Sequence, residues 1–346
     1  MSFVSHPLAT ARPTGGRASA RGRALGAFYG LALGDALGMP TQSMSRTSIR
    51  EDYGAIDGLL PAGPRQLIAA GMPAGSVTDD TEQAVLLAEL LIEGQGHFDA
   101  LAFAQRLITW EHGMEARGSL DLLGPSTKAA VKRLTDGSPA SESGRFGSTN
   151  GAAMRITPVG IAFDASDLTS FVDAVTRASE VTHNTSIGIA GAAAVGAAVS
   201  VGVRGGTLSE AIKVAIGAAA EGERRGHWVA GGQISARLRW ATQYLASMPS
   251  ARHADTVETV IGTSVASQES VVAALAIASV SADPWESVCL AAGIGGDTDT
   301  IAAMCGAVLG SVQGFDAWPA SALHTIKAVN SLDLDPLVDR LLALRH

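Results

Sequence analysis

Two short stretches place threonine and aspartate together just before an apolar helical run: "VTDDTEQAVLLAELLIEG" from residue 77 and "GGDTDTIAAMCGAVLG" from residue 295. A helix start needs one Ser, Thr, Asp or Asn, whose side-chain oxygen satisfies backbone N–H groups left open in the first turn. Each stretch carries more oxygen than that. If the two starts meet in space, Asp79, Asp80, Asp297 and Asp299 bring four negative charges together. Like charges in a partly buried site are costly unless neutralised. The partial positive charge of helix N-termini offsets only a fraction of that cost. A divalent cation would neutralise the cluster. With hard oxygens and no neighbouring His or Cys, Mg²⁺ or Mn²⁺ is expected ahead of zinc or copper, and Ca²⁺ is also compatible.

The elements that must position these acids read as helices. Apolar segments of about 12–18 residues recur at helical period, and sustained period-two alternation is nearly absent. Helices are expected over 22–38, 81–94, 98–112, 126–135, 167–181, 185–203, 207–222, 230–247, 255–262, 268–280, 284–292, 300–313, 318–329 and 335–344. In the first of them Gly26, Gly30, Gly34 and Gly38 recur every fourth residue, stripping one face of side chains. Each glycine costs about 1 kcal/mol of helix stability relative to alanine, so the stripe implies a compensating close contact with a helix or a ligand. The irregular stretches 57–81 and 135–151 are rich in Gly, Pro and Ser, and each ends on a polar motif, which marks them as pocket walls. No composition break or fixed repeat divides the chain. The expectation is a disordered leader over 1–22, basic through Arg12, Arg17 and Arg21, followed by one all-α domain over 23–346.

The 346 residues are 47% hydrophobic, enough for a substantial core, and carry 33 acidic against 25 basic side chains, a net charge of −8. That balance argues against broad binding to nucleic acid or to acidic membranes. Cys289 and Cys305 lie in apolar helical sequence without C-x-x-C spacing, so neither a disulfide framework nor a thiolate zinc site is suggested, and a cytoplasmic setting is expected. The apolar run at 187–203 is mostly alanine and glycine and reads as a buried helix rather than a membrane span.

Six motifs in order, "LGDALGMPTQ", "VTDDTEQ", "DLLGPST", "TNGAAMRITPVG", "THNTSIGIAGAAAVGAAV" and "GGDTDTIAAMCGAVLG", give the chain a resemblance to the ADP-ribosylglycohydrolase family, which includes the dinitrogenase-reductase-activating glycohydrolases and the crystallin J1 proteins. The resemblance covers about residues 24–313. It implies an orthogonal multi-helical domain with two divalent cations, Mg²⁺ or Mn²⁺, at the base of an ADP-ribose cleft. Thr78, Asp79, Asp80, Asp297, Asp299 and Thr300 would be the metal ligands. Asn150, Gly151, Met154 and Arg155 would wall the ADP-ribose, with His183 close by and Asp121 facing the substrate. Glu269 resembles a family acid before an apolar helix, although a first-turn acid explains it equally. One departure is Gln42, where several members carry a glutamate near the metals: the amide keeps the shape and loses the charge.

The chemistry this implies is hydrolysis of the bond from the ribose anomeric carbon to an acceptor nitrogen or oxygen, through an oxocarbenium-like state, with Asp79 or Asp80 positioning the attacking water. Two alternatives stay open. The substrate is a smaller ribosyl compound or nucleoside, or the protein is a non-catalytic ADP-ribose binder or a structural relative of the crystallins. The chain has no Walker A motif, so NTP hydrolysis is not expected.

Overall fold

The glycine stripe is used against another helix. A computed structural model of the chain describes residues 18–116 and 123–345. Among these residues the secondary structure is helical, with no strand beyond three isolated bridges. In chain order the α-helices are α1 (Ala20–Gly38), α2 (Arg46–Tyr53), α3 (Asp79–Glu93), α4 (Ala100–Ala116), α5 (Pro125–Thr135), α6 (Ala140–Ser143), α7 (Gly151–Met154), α8 (Thr157–Ala162) and α9 (Leu168–His183). There follow α10 (Ser186–Val203), α11 (Leu208–Gly222), α12 (Ile234–Ala246), α13 (His253–Thr256), α14 (Ser267–Ser279), α15 (Pro284–Ala292), α16 (Thr298–Gln313), α17 (Ala320–Asn330) and α18 (Asp335–Ala343).

α1 runs antiparallel to α16 with the two backbones almost touching. A Cβ placed on Gly26 or Gly30 would lie 2.4 Å from the carbonyl oxygen of Gly310 or Gly306, and one on Gly34 would lie 2.0 Å from that of Ala302. At the end of the stripe, a Cβ on Gly38 would lie 2.4 Å from the backbone of Asp299. The open choice between helix and ligand is therefore resolved in favour of a helix, and it is the helix whose first turn carries the second acidic motif. Van der Waals contact along two bare faces offsets the intrinsic cost of the glycines.

Among the described residues α10 is the one helix long and apolar enough to cross a membrane, and all 18 of its residues are buried inside the protein. Alanine, glycine and valine all round are what a helix surrounded by other helices requires, and α8, α9, α11, α14 and α16 pack against it. Cys289 and Cys305 are buried and unpaired by disulfide. Of the expected leader, residues 1–17 lie outside the described residues, whereas Ala20, Arg21 and Gly22 form the first turn of α1 under the N-cap Ser19.

The region expected as one helix over 255–262 divides into α13 and a π-helical turn at Val257–Ile261 that ends on Gly262, φ 94°. α2, α6, α7 and α8 were not expected. They are short helices inside what reads as loop. α2 buries only Ile49, so it carries almost no apolar periodicity to be read.

Candidate functional site

α3 is capped from another helix. Thr78 occupies its N-cap, and Asp35 reaches across from α1. The Asp35 carboxylate accepts from the Thr78 N–H at 3.0 Å, the Thr78 hydroxyl at 2.8 Å, the Thr81 N–H at 3.1 Å and the Thr81 hydroxyl. The Thr78 and Thr81 N–H groups among them are backbone donors of the kind a helix start leaves open. Because Asp35 takes them, Asp79 and Asp80 are surplus to capping. Burial pushes the Asp35 carboxyl up to about 6, against the opposing pull of its hydrogen bonds from Thr81 and Thr78.

The start of α16 is built by a glycine pair. Gly295 and Gly296 have φ of 85° and 78°, the left-handed region that favours glycine. Gly296 exchanges backbone hydrogen bonds with the 43–44 segment, Ser43 N–H to Gly296 O at 2.7 Å and Gly296 N–H to Met44 O at 2.9 Å, and the Asp297 N–H donates to Thr263 O at 2.8 Å. These contacts deliver Asp297, Asp299 and Thr300 beside α3.

The two helix starts meet. The Thr300 hydroxyl donates to Asp80 Oδ2 at 3.2 Å, and the Thr78 hydroxyl lies 3.4 Å from the same oxygen. Asp80 is buried, and its Oδ1 is enclosed without a hydrogen-bond partner. Burial, then the charges of Asp299, Asp35, Asp79 and Asp297, raise its carboxyl well above the usual range. Asp297 is likewise pushed up to about 6 by burial, opposed by hydrogen bonds from Asn150 and Thr300. Among the described residues no three His, Cys, Asp or Glu side chains form a group that would hold a metal ion by themselves. The convergent donors are carboxylates together with threonine hydroxyls.

Above the junction lies a cleft of about 280 Å³. Asp79, Asp297, Asp299 and Thr300 line it, together with Gln42, Asn150, Gly151, Met154, Thr149 and Ile68. Thr78 and Asp80 lie beneath it, buried. Asn150 directs its Nδ2 to Asp297 Oδ2 at 2.5 Å and to Ser270 Oγ at 2.9 Å, and so orients that carboxylate. Gln42 is buried, with Nε2 enclosed and unpartnered; its backbone carbonyl accepts from Gln66 Nε2 at 2.8 Å, and the next residue, Ser43, is held at φ 60°.

Arg155, expected in the wall, stands behind it, and so does His183, expected close by. Arg155 is fully buried, donating to Gln83 Oε1 at 3.1 Å and Thr182 Oγ1 at 2.5 Å, with its guanidinium 4.9 Å from the centre of the Phe103 ring. His183 is also fully buried, between Thr182 Oγ1 at 2.8 Å and Thr149 Oγ1 at 2.9 Å. Asp121 lies outside the described residues; Leu123, Gly124 and Pro125, just after it, line the cleft. Glu269 accepts from the Ser264 N–H at 3.1 Å and supports the turn after Gly262. Two contributors went unread in the sequence. Asp35 is the lone acid of a glycine-striped, largely apolar helix, which is a signal of purposeful burial. Gln83 stands four residues after Asp79 on one helix face and donates to Asp79 Oδ2 at 2.7 Å.

Comparison with known proteins adds the family. The family model for ADP-ribosylglycohydrolase matches residues 16–346. An uncharacterized Escherichia coli K12 protein, YegU, is 34% identical over 321 residues, covering 90% of this chain and 94% of that one. The ADP-ribosyl-dinitrogen reductase glycohydrolase of Rhodospirillum rubrum is 31% identical over 169 residues, 48% of this chain and 53% of that one. A solved structure of an ADP-ribosylglycohydrolase-related protein complex superposes with a TM-score of 0.70 at 24% identity, covering 94% of this chain and 99% of that one, which establishes a shared all-helical fold.

Proposed function

The chain belongs to the ADP-ribosylglycohydrolase family, and on that premise we propose that it hydrolyses the glycosidic bond between ADP-ribose and an N- or O-linked acceptor with the help of divalent cations, Mg²⁺ or Mn²⁺. One observation carries the reading: Asp80 is a buried carboxylate with an unpartnered oxygen, set among four further aspartates, Asp35, Asp79, Asp297 and Asp299, where two helix starts meet beneath a cleft. An unsatisfied buried polar atom costs about 1–3 kcal/mol, more when charged. A hard cation relieves both that cost and the repulsion. Thr78, Asp79, Asp80, Asp297, Asp299 and Thr300 are the residues that would hold the ions. When bound, they supply positive charge and Lewis acidity at the reacting oxygens.

The rest of the work falls to the chain. Asp79 lines the cleft and is turned by Gln83, which supports it as the base that takes the proton from an attacking water. Asp80, enclosed below, is suited to holding charge in place. Asp297, aimed by Asn150, adds a fixed negative charge near the developing oxocarbenium. Ile68, Leu123, Met154 and Val265 make the apolar part of the lining, which lowers the local dielectric and strengthens those interactions.

A second reading has one observation in its favour. Small-molecule sites generally span about 300–1,000 Å³, and this cleft, at about 280 Å³, is at the small end. A smaller ribosyl compound, such as a nucleoside, would fill it. Offering the protein ADP-ribosylated peptides and nucleosides side by side in Mg²⁺ and in Mn²⁺ separates the two. Release of ADP-ribose supports the first reading, turnover of nucleosides alone supports the second, and turnover of neither under both metals contradicts an enzymatic role on ribosyl bonds.

A further inference from the structure

Behind the cleft wall a chain of hydrogen bonds joins two cleft-lining residues through a buried cation. From Arg155, one arm runs through Nη1 to Gln83 Oε1, 3.1 Å, and from Gln83 Nε2 to Asp79 Oδ2, 2.7 Å. The other runs through Nη2 to Thr182 Oγ1, 2.5 Å, then to His183 Nδ1, 2.8 Å, and from His183 Nε2 to Thr149 Oγ1, 2.9 Å. Asp79 and Thr149 both line the cleft. Arg155, Gln83, Thr182 and His183 are all fully buried.

A guanidinium only donates, and this fixes the direction of both bonds that Arg155 makes. Gln83 must turn its carbonyl oxygen to Arg155, so its amide nitrogen is left for Asp79. The Thr182 hydroxyl accepts from Arg155 and has one proton to give. Its alternative acceptor, the Ser179 carbonyl, lies at 3.5 Å, so the proton goes to His183 Nδ1 at 2.8 Å. Burial, then the charge of Arg155, hold the His183 imidazole neutral. With Nδ1 accepting, the ring carries its proton on Nε2 and donates it to Thr149 Oγ1, which keeps its own O–H for another acceptor.

We infer that Arg155 is a positioning residue for the cleft, acting through Gln83 to aim the Asp79 carboxylate and through Thr182 and His183 to commit the Thr149 hydroxyl to donating toward an acceptor oxygen of the bound ligand. The first arm rests on the divalent-cation reading of the acidic junction; the second does not.

The test therefore uses two readouts. Calorimetric titration of the full chain with Mn²⁺ is compared among wild type, Arg155→Met and Gln83→Leu, with the urea unfolding midpoint in chelator as control. Both variants are expected to weaken Mn²⁺ binding about tenfold, and Gln83→Leu keeps the first arm testable if Arg155→Met does not fold. Wild-type affinity in both folded variants, whatever their midpoints, overturns the inference and leaves the metal site standing. Absence of Mn²⁺ binding by wild type overturns the first arm together with the cation reading. In the second readout, nitrogen NMR of histidine-labelled wild type in chelator is expected to show His183 neutral with its proton on Nε2. A proton on Nδ1 overturns the second arm independently of any metal.

Discussion

Gly38 of α1 lies flat against Asp299 of α16: a Cβ on the glycine would come within 2.4 Å of both the Cα and the amide nitrogen of the aspartate. The last residue of one helix thereby sets the position of the first acidic turn of another. A stripe that begins as packing at Gly26 ends at the candidate metal centre.

Gly38→Ala should displace the first turn of α16 rather than unfold the bundle. Overpacking of this kind costs about 1–3 kcal/mol. The expected outcome is a lowered unfolding midpoint, near-native helical circular dichroism and loss of any stabilisation by Mg²⁺ or Mn²⁺. Retention of the full metal-induced shift would show that Asp299 tolerates the movement.

Asp35→Asn should weaken the start of α3. The amide keeps one acceptor oxygen where the carboxylate uses both, so donors from Thr78 or Thr81 are left buried and unpaired, at about 1–3 kcal/mol. Amide hydrogen exchange at Thr78 and Thr81 should accelerate more than exchange in the middle of α3. Uniform exchange along the helix would contradict the cap assigned to Asp35.

The long helices α1, α3 and α16 could be read from the chain as apolar segments of helical length, and both acidic starts could be read because four carboxylates exceed what capping needs; the short α7, which brings Gly151 and Met154 to the cleft, could not. The partner of the glycine stripe could not, because nothing local distinguishes a bare face meant for α16 from one meant for a ligand. Arg155 and His183 are legible as polar residues near the cleft but not as residues behind its wall. Arg155 is enclosed by Phe103 and Thr182, which the fold brings to it from other helices, and His183 meets Thr149, 34 residues earlier in the chain. Asp35 escaped for the same reason: its four donor groups lie more than forty residues away, at Thr78 and Thr81.

The raised carboxyls give a pH dependence of definite sign. Asp35 and Asp297 have folded-state values of about 6, above the roughly 3.9 of an unfolded aspartate, and Asp80 is raised as well. The folded state then binds the extra protons, so this contribution to stability is fully present below about pH 4 and is lost as pH rises through about 6. In chelator, Asp80→Asn removes one such group and relieves its neighbours. The variant should therefore gain stability relative to wild type between pH 4.5 and pH 7.5, read as the difference in urea midpoints. An equal difference at the two pH values would contradict the clustering of charge.

Mass-spectrometric detection of free ADP-ribose, released from mixed arginine- and serine-ADP-ribosylated peptides, tests the central claim most directly. Wild type and Asp297→Ala are compared in Mg²⁺, in Mn²⁺ and in chelator. The account predicts release by wild type with metal, none in chelator, and at least a hundredfold loss in Asp297→Ala with the helical fold intact, roughly 2.7 kcal/mol in the barrier. Equal release with and without metal, or undiminished release by Asp297→Ala, would contradict it.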